Sequence, residues 1–428
     1  MSRLTGFTYT DYVHFFALFR AGYIPQPFSL HPRFPHLVSG MMKKSNALTI
    51  LLDPSVSDII PGHLIPTLEA ISATELPLID EETVKGAFYM TSGSTSDLPK
   101  LVHHNLKAFQ TLVYKTSTAT NHGIINALGS ICYVGQLGVL MANMHHCCPI
   151  ILPTGIPFQK DELLAMFHQL SMRRLILFPT HITTFFRQSK IDPELLEVLK
   201  QFHQVAYTGA PLPSSDISYA LENGIKLQSV AGQTELFGTL RSPIGDPESS
   251  RPVPGVKYHF TEQGELVVLK DSIDIPSQRE FLAEDGCFYT GDIFEKKGDG
   301  WRFVGRNDDR IKAEYGGYYW PRYIEDEVIR VCSDVVTSCI VLGAGRISPT
   351  LVVEVEDINS EEAKSIPKLV VQRLKGWMEK RYSHESIVEE KFVVVVKKGE
   401  LPRTANKGNV RRAAAEKQFK ELLDGIYA

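Results

Sequence analysis

Cysteine is sparse in this 428-residue chain: there are six, and none stands in a C-x-x-C pair. That excludes a disulfide-stapled scaffold and points to a reducing, cytoplasmic compartment. No apolar run reaches the roughly 18 residues that a spanning helix needs, so no membrane partner is expected. The opening residues lack a clean apolar core and cleavage site, and the last four are no peroxisomal address. An excess of one charge is also missing. Lys plus Arg number 45 against 49 Asp plus Glu, a net charge of −4, and no basic run could match a phosphate backbone, so a nucleic-acid partner is not expected. Repeats, low-complexity tracts and long Pro- or Ser-rich linkers are absent as well. What is present is a 43% hydrophobic, 22% charged chain, long enough for two or three globular domains.

From Lys85 onward short apolar runs alternate with helical periodicity. The spacing predicts a strand over 87–90, a helix carrying Leu106, Phe109 and Leu112 with Val113, and a helix carrying Leu163, Met166, Phe167 and Leu170. Strands follow over 175–178, 205–208 and 227–230, with a helix near Ser214–Glu222. His103 and His104 are expected to open the first of these helices. The rhythm predicts an α/β fold, a mostly parallel sheet with flanking helices. Between 256 and 304 the texture turns to Gly, Asp and short alternating runs, which predicts a small antiparallel, barrel-like subdomain. A boundary near 307–310 divides a large domain, 1–307, from a smaller α+β domain, 308–428. The second has helices from Pro321, over 361–381 and after Asn409, and strands over 337–342, 351–355 and 392–396.

The stretch Thr91-Ser92-Gly93-Ser94-Thr95-Ser96-Asp97-Leu98-Pro99-Lys100 follows a strand directly. Small residues let backbone N–H groups approach an anion, and hydroxyls and a lysine add donors and charge, as a phosphate cradle requires. It is not a Walker loop, because G-x-x-x-x-G-K-[ST] is absent from it. A polar Ser/Thr turn is the plainer reading of this stretch by itself. Further segments follow in order: Tyr207-Thr208-Gly209-Ala210-Pro211-Leu212, Ala231 with Gly232-Gln233-Thr234-Glu235, Tyr289-Thr290-Gly291-Asp292, Gly305-Arg306-Asn307-Asp308-Asp309-Arg310-Ile311-Lys312, and Pro402-Arg403-Thr404-Ala405-Asn406-Lys407.

Together these resemble the adenylate-forming superfamily, which includes acyl-CoA synthetases, peptide-synthetase adenylation domains and luciferases. The patterns matched are [ST]SG[ST]TGxPK, GGAPL, YGxTE, TGD, GRxDDxIK…PxxIE and PRTxxGK, and the early stretch Ala21-Gly22-Tyr23-Ile24-Pro25-Gln26-Pro27 resembles another family segment. The resemblance implies that a large domain binds ATP and a carboxylic acid and that a mobile C-terminal domain closes over it. The carboxylate attacks the α-phosphate to give acyl-AMP and pyrophosphate, and many members then pass the acyl group to CoA or to a carrier-protein thiol. Two like-charged reactants must meet, so cations and a metal are needed. Matched to the motifs, Thr91, Ser92, Gly93, Ser94, Thr95 and Lys100 would cradle phosphate, and Gly209, Ala210, Pro211, Ala231 and Gly232 would line the nucleotide. Glu235 would hold Mg²⁺ and Thr234 would contact the α-phosphate. Asp292 would accept the ribose hydroxyls, Arg306 would offer its planar fork to the nucleotide, Lys407 would bring charge to the forming acyl phosphate, and Asp308 would be the hinge. Taken singly, each of these has a plainer reading as turn, surface ion pair or solvated charge.

Four departures stand out. Ser96 replaces a glycine of the phosphate loop, and Ala231 stands where an aromatic commonly stacks on adenine. Lys407-Gly408 reverses the usual order, and one extra residue lies between Lys312 and Pro321. The last two are shared by fungal reductase-type and single-module adenylation domains, the branch this chain most resembles in style. The early segment begins almost at Met1, so the leading elements of the large domain are expected to be missing, and no carrier or reductase domain is expected after the terminal motif. No Asp or Glu occurs between Asp97 and Asp161, which disfavours an amino-acid substrate because a buried ammonium needs a counter-charge. The neutral surroundings of Tyr133 and Phe237 suit an aryl or aliphatic acid. His145-His146-Cys147-Cys148 read as strand residues pointing to opposite faces and lack the spacing of a structural zinc site. A nucleotide- or acyl-binding relative without catalysis is the competing reading.

Overall fold

A computed structural model describes residues 2–4, 7–29, 35–47, 49–52, 63–64, 86–91, 100–117, 123–314, 318–381, 385–403 and 410–427. Strands β1 (Ser2–Leu4), β2 (Pro27–Ser29), β3 (Leu51–Leu52) and β4 (His63–Leu64) form a small parallel sheet. Helices α1 (Tyr9–Arg20) and α2 (Pro35–Lys44) belong to the same region. α1 starts at a reciprocal cap in which Thr8 accepts from the Asp11 N–H and Asp11 accepts from Thr8.

Next comes an antiparallel hairpin of β5 (Ala87–Thr91) and β6 (Lys100–His104), followed by α3 (Leu106–Ser117). His103 and His104 thus close a strand and do not open the helix. They pair with Phe88 and Ala87 across the ladder, and Asn105 caps the helix by accepting from the Ala108 N–H at 3.0 Å.

The large sheet has seven strands. In chain order they are β7 (Ile125–Asn126), β8 (Ile150–Ile151), β9 (Arg174–Leu177), β10 (Gln204–Thr208), β11 (Leu227–Gln233), β12 (Phe237–Arg241) and β13 (Arg251–Pro252), with spatial order β13-β12-β11-β10-β9-β7-β8. From β11 to β8 every neighbouring pair is parallel, while β12 and β13 run antiparallel. The connecting helices are α4 (Val134–His145), α5 (Lys160–Gln169), α6 (Pro179–Ser189), α7 (Pro193–Gln201) and α8 (Ser214–Glu222). Alternation along the strands assigns the faces. Leu175, Leu177, Val205 and Tyr207 pack with α5 to α8, and Ile176 and Ala206 pack on the side of α4. α6 and α7 each open with a proline in the first turn, and Asp192 caps α7. His145 is the last residue of α4 and Cys147 lies in the following turn at φ 53°, so the His-His-Cys-Cys stretch is a helix end and not a strand.

The unit expected as a small antiparallel subdomain is a four-stranded antiparallel sheet: β14 (Tyr258–Phe260), β15 (Glu265–Val268), β16 (Phe288–Lys297) and β17 (Gly300–Arg306), in sequence order. A one-turn 3₁₀ segment, Asn307–Asp309, leads to the hairpin of β18 (Ile311–Lys312) and β19 (Tyr318–Tyr319). Beyond it lie α9 (Pro321–Cys332), the sheet of β20 (Ser338–Leu342), β21 (Thr350–Val355) and β22 (Val393–Lys397), and α10 (Glu361–Met378). α11 (Arg412–Gln418) and α12 (Lys420–Tyr427) end the chain. α9 and α10 bury one face of this sheet and α11 and α12 the other. Among the described residues no helix is long and apolar enough to cross a membrane.

Candidate active site

Ligands of open α/β sheets bind beyond the carboxyl ends of the parallel strands, and here two of the singled-out segments, 209–211 and 231–235, lie at that edge. Gly209, Ala210 and Pro211 follow the end of β10, with Gly209 at φ 86°, a left-handed conformation that glycine takes without a Cβ penalty. Ala231, Gly232 and Gln233 form the end of β11. Thr234, Glu235 and Leu236 make the turn into β12.

This turn is held on both flanks. On one side, the Gln233 side chain donates to Asp292 Oδ2 at 2.6 Å and to the Thr290 carbonyl at 2.9 Å. On the other, Lys115 Nζ donates to the Leu236 carbonyl at 2.8 Å. The turn closes with Phe237 at φ 60°, the left-handed residue that commonly ends a three-residue hairpin loop. For a phenylalanine this conformation costs on the order of 1 kcal/mol. Burial of the ring against His104, with centroids 4.3 Å apart, offsets that cost. Gly232 is required on the facing strand, because a Cβ there would lie 2.3 Å from the Phe237 carbonyl oxygen.

Asp292 and Arg306 sit directly opposite each other on β16 and β17. Arg306 Nη1 donates to Asp292 Oδ1 at 2.9 Å, so the two oxygens of Asp292 are shared between Gln233 and Arg306. Gly291, at φ 73°, lets the guanidinium lie close, since a Cβ would stand 2.9 Å from Arg306 Nη2. Ala231 is partly buried against the core of Leu240, Leu266 and Phe294. Tyr133 packs edge-on to Phe178, the residue after β9, at 5.4 Å. Phe237 is buried beside His104, in the same hydrophobic cluster against which Tyr133 packs.

Thr91 and Lys100 are paired across the β5–β6 hairpin, so the intervening loop leaves and re-enters at one place. Ser92, Gly93, Ser94 and Thr95 lie outside the described residues. Lys407 does too. The chain departs at Arg403 and returns at Val410, residues joined by an antiparallel bridge. Asp308 lies in the 3₁₀ turn between β17 and β18.

Three contributors were not visible as site residues in the sequence: Gln233, Lys115 and His104. Gln233 was legible only as the variable position of its motif, and a lysine or histidine beside an apolar helix gives no pattern of its own. Burial pushes the His104 ring down to about 4, with the Thr234 carbonyl opposing the shift, so the imidazole is neutral at pH 7. Among the described residues no group of three His, Cys, Asp or Glu could hold a metal. Glu235 on its turn is the kind of single carboxylate that suits a hard divalent cation sharing its other positions with phosphate and water.

An open, mostly parallel α/β sheet with glycine- and hydroxyl-bearing turns at its carboxyl edge places these residues where ligands of such sheets commonly bind. Residues 308–428 match the family model of the AMP-binding enzyme C-terminal domain. The chain is 32% identical over 444 residues to an AMP-binding domain-containing enzyme, iboA, of Amanita muscaria, covering 94% of this chain and 85% of that protein. It is 24% identical to adenylate-forming reductase Nps11 of Serpula lacrymans, covering 98% of this chain but 43% of that protein. ATP-bound MatB from Rhodopseudomonas palustris superposes with a TM-score of 0.80 at 18% identity, covering 99% of this chain and 89% of that one. The McyG adenylation–carrier didomain with phenylalanyl-adenylate gives 0.78 at 16% identity, covering 99% and 87%. The chain belongs to the AMP-binding, adenylate-forming enzyme family.

Proposed function

We propose that the protein uses ATP to activate a carboxylic acid, aryl or aliphatic and not an amino acid, as acyl-AMP with release of pyrophosphate; an acceptor assay reads whether CoA, a carrier thiol or neither then takes the acyl group. One observation carries the reading: Gly209–Pro211, the Thr234–Glu235 turn and the Asp292–Arg306 pair, far apart in sequence, converge beside the carboxyl edge of one sheet. That arrangement suits a nucleotide whose phosphates face the turn and whose sugar faces the pair. A division at 307/308 into a nucleotide-binding unit and a C-terminal unit, with Asp308 as hinge, belongs to the same proposal. A cytoplasmic setting is supported by six cysteines that form no disulfide.

Attack by one anion on another fails unless charge is neutralised where it develops. The loop 91–100 would hold the β- and γ-phosphates through backbone N–H groups, hydroxyls and Lys100, and Thr234 would donate to the α-phosphate. Glu235 would hold Mg²⁺, which neutralises phosphate charge in the transition state. Asp292 would accept the two ribose hydroxyls, and Arg306, already fixed by Asp292, would present its remaining donors to the nucleotide. Lys407 would supply a point charge to the carboxylate and α-phosphate as they join. Ala231 leaves the adenine face without an aromatic plane, so affinity would rest more on sugar and phosphate contacts. No Asp or Glu lies between Asp97 and Asp161, and this supports the preference against amino acids.

The test is Mg²⁺-dependent pyrophosphate release from ATP, with hydroxylamine as acceptor, across aryl, short-chain, long-chain and amino acids. Release confined to one non-amino acid class is expected, and Lys407→Ala should abolish it while ATP binding survives. Folded protein that releases no pyrophosphate with any acid would instead be a binding-only relative.

A further inference from the structure

The interior beneath the Thr234–Glu235 turn holds a charged network that no motif predicts. Lys115, on α3, and Asp274, in the segment between β15 and β16, form a 2.8 Å ion pair with side chains 3% and 2% exposed. Asp274 also accepts from Ser272 Oγ at 2.6 Å and from the Tyr258 hydroxyl. The ammonium spends another donor on the Leu236 carbonyl at 2.8 Å, and Tyr258 Oη lies 3.4 Å away. Two more bonds tie the same strap to the β6–α3 unit. Thr111 Oγ1 donates to the Ile273 carbonyl at 3.3 Å, and Gln278 accepts from the His103 N–H at 2.6 Å.

Burying such a pair is costly, and apolar residues of the same volume often serve stability as well or better. The ionic pair does one thing an apolar pair cannot: it fixes a backbone carbonyl by a charge-assisted hydrogen bond. That carbonyl belongs to the residue after Glu235. The bond also runs from α3, which directly follows the strand begun by Lys100, so it ties the element leaving the phosphate loop to the turn carrying Glu235.

We propose that Lys115, held by Asp274, is a positioning residue that sets the Glu235 carboxylate for the divalent metal of the nucleotide complex. The inference rests on the proposed role of Glu235, and metal and nucleotide binding can be read without turnover. It concerns the orientation of the turn and not the burial of its core, so replacing the pair by apolar residues should spare the fold and impair the metal.

The experiment titrates Mn²⁺ by water-proton relaxation in the presence of a non-hydrolysable ATP analogue, for the wild type and for K115M/D274L, with metal-free analogue binding as control. The expected result is a folded double variant with unchanged metal-free binding and Mn²⁺ affinity lowered about tenfold or more, the factor that one such bond supplies. Tyr258→Phe, which spares the bond to Leu236, should stay within about twofold of wild type. Should K115M/D274L not fold, K115M/D274N, which removes the donor to the Leu236 carbonyl but keeps an amide oxygen for Ser272 and Tyr258, is read in the same way. Mn²⁺ affinity unchanged in a folded double variant, or failure of both double variants to fold, overturns the positioning role. A wild type that binds Mn²⁺ with the analogue but activates no acid would overturn the proposed reaction and leave this inference standing.

Discussion

Glu354 offers the sharpest test of how the C-terminal segment is held. It lies on β21 with its side chain 1% exposed. It accepts from the Gly399 N–H at 3.0 Å, the Leu401 N–H at 2.9 Å and Arg403 through both terminal nitrogens at 3.1 and 2.7 Å. Arg403 in turn closes the base of the stretch that carries Lys407. Glu354→Gln keeps the shape and one oxygen, so the two amides can remain bonded. What it loses is the paired attraction to Arg403, and its new NH₂ group faces a cation. Removing one partner of a buried pair costs about 3–5 kcal/mol. Arg403 is 31% exposed and can rehydrate, which reduces the figure to about 2 kcal/mol. Local opening should therefore become about 30-fold more frequent. Hydrogen exchange at Gly399 and Leu401 reads this directly, and acid-dependent pyrophosphate release should fall while ATP binding stays. In E354Q/R403M the penalty should shrink, because no buried-side cation is left to oppose. Exchange within about threefold of wild type in E354Q would refute the reasoning.

Two further outcomes follow from the site. His104 is neutral in the fold because burial depresses it to about 4, whereas an exposed histidine takes its proton near 6.5. Stability is thus fully present above pH 6.5 and is lost as pH falls toward 4, by up to about 3 kcal/mol; urea midpoints at pH 7 and pH 5 should differ, and His104→Gln should flatten the slope. Gly232→Ala would put a methyl 2.3 Å from the Phe237 carbonyl and should cost about 1–3 kcal/mol by overpacking and lower pyrophosphate release; a variant with an unchanged denaturation midpoint would contradict the account of this turn.

Several strongly periodic elements were legible in the sequence to within a residue or two, while the strand read over 227–230 runs on to Gln233 and the helix read over 361–381 ends at Met378. The helix read from Leu106, Phe109 and Leu112 is α3, and the apolar run over 175–178 is β9 shifted by one residue. Reading failed where local pattern and tertiary pairing compete. His103 and His104 look like a polar helix start, but the ladder to β5 claims them. The four residues from His145 look like strand, yet the apolar spacing of Val134, Leu137 and Leu140 carries α4 through His145. α6 and α7 drew no prediction, although Pro179, Asp192 and Pro193 were start signals in plain view. Of the site, the motifs gave residues but not their supports. Asp292 and Arg306 were both named, whereas their lateral contact and the Gln233 bond depend on β16, β17 and the β11 turn meeting in space. Lys115 was hidden most deeply, because a lysine on a helix reads as solvated until its buried counter-charge, 159 residues away, is seen.

The engagement of Asp292 by Gln233 and Arg306 has a consequence for exchange at the site. A carboxylate offers about four lone-pair sites, so the bonds from Gln233 to one oxygen and from Arg306 to the other fix its position without saturating it. An arriving hydroxyl can add to a further lone pair while both internal bonds stay, and when it departs those bonds keep the carboxylate set. The pair behaves as a jig set before loading: the acceptor does not have to be reordered at each exchange, a useful property wherever a site is emptied and refilled repeatedly.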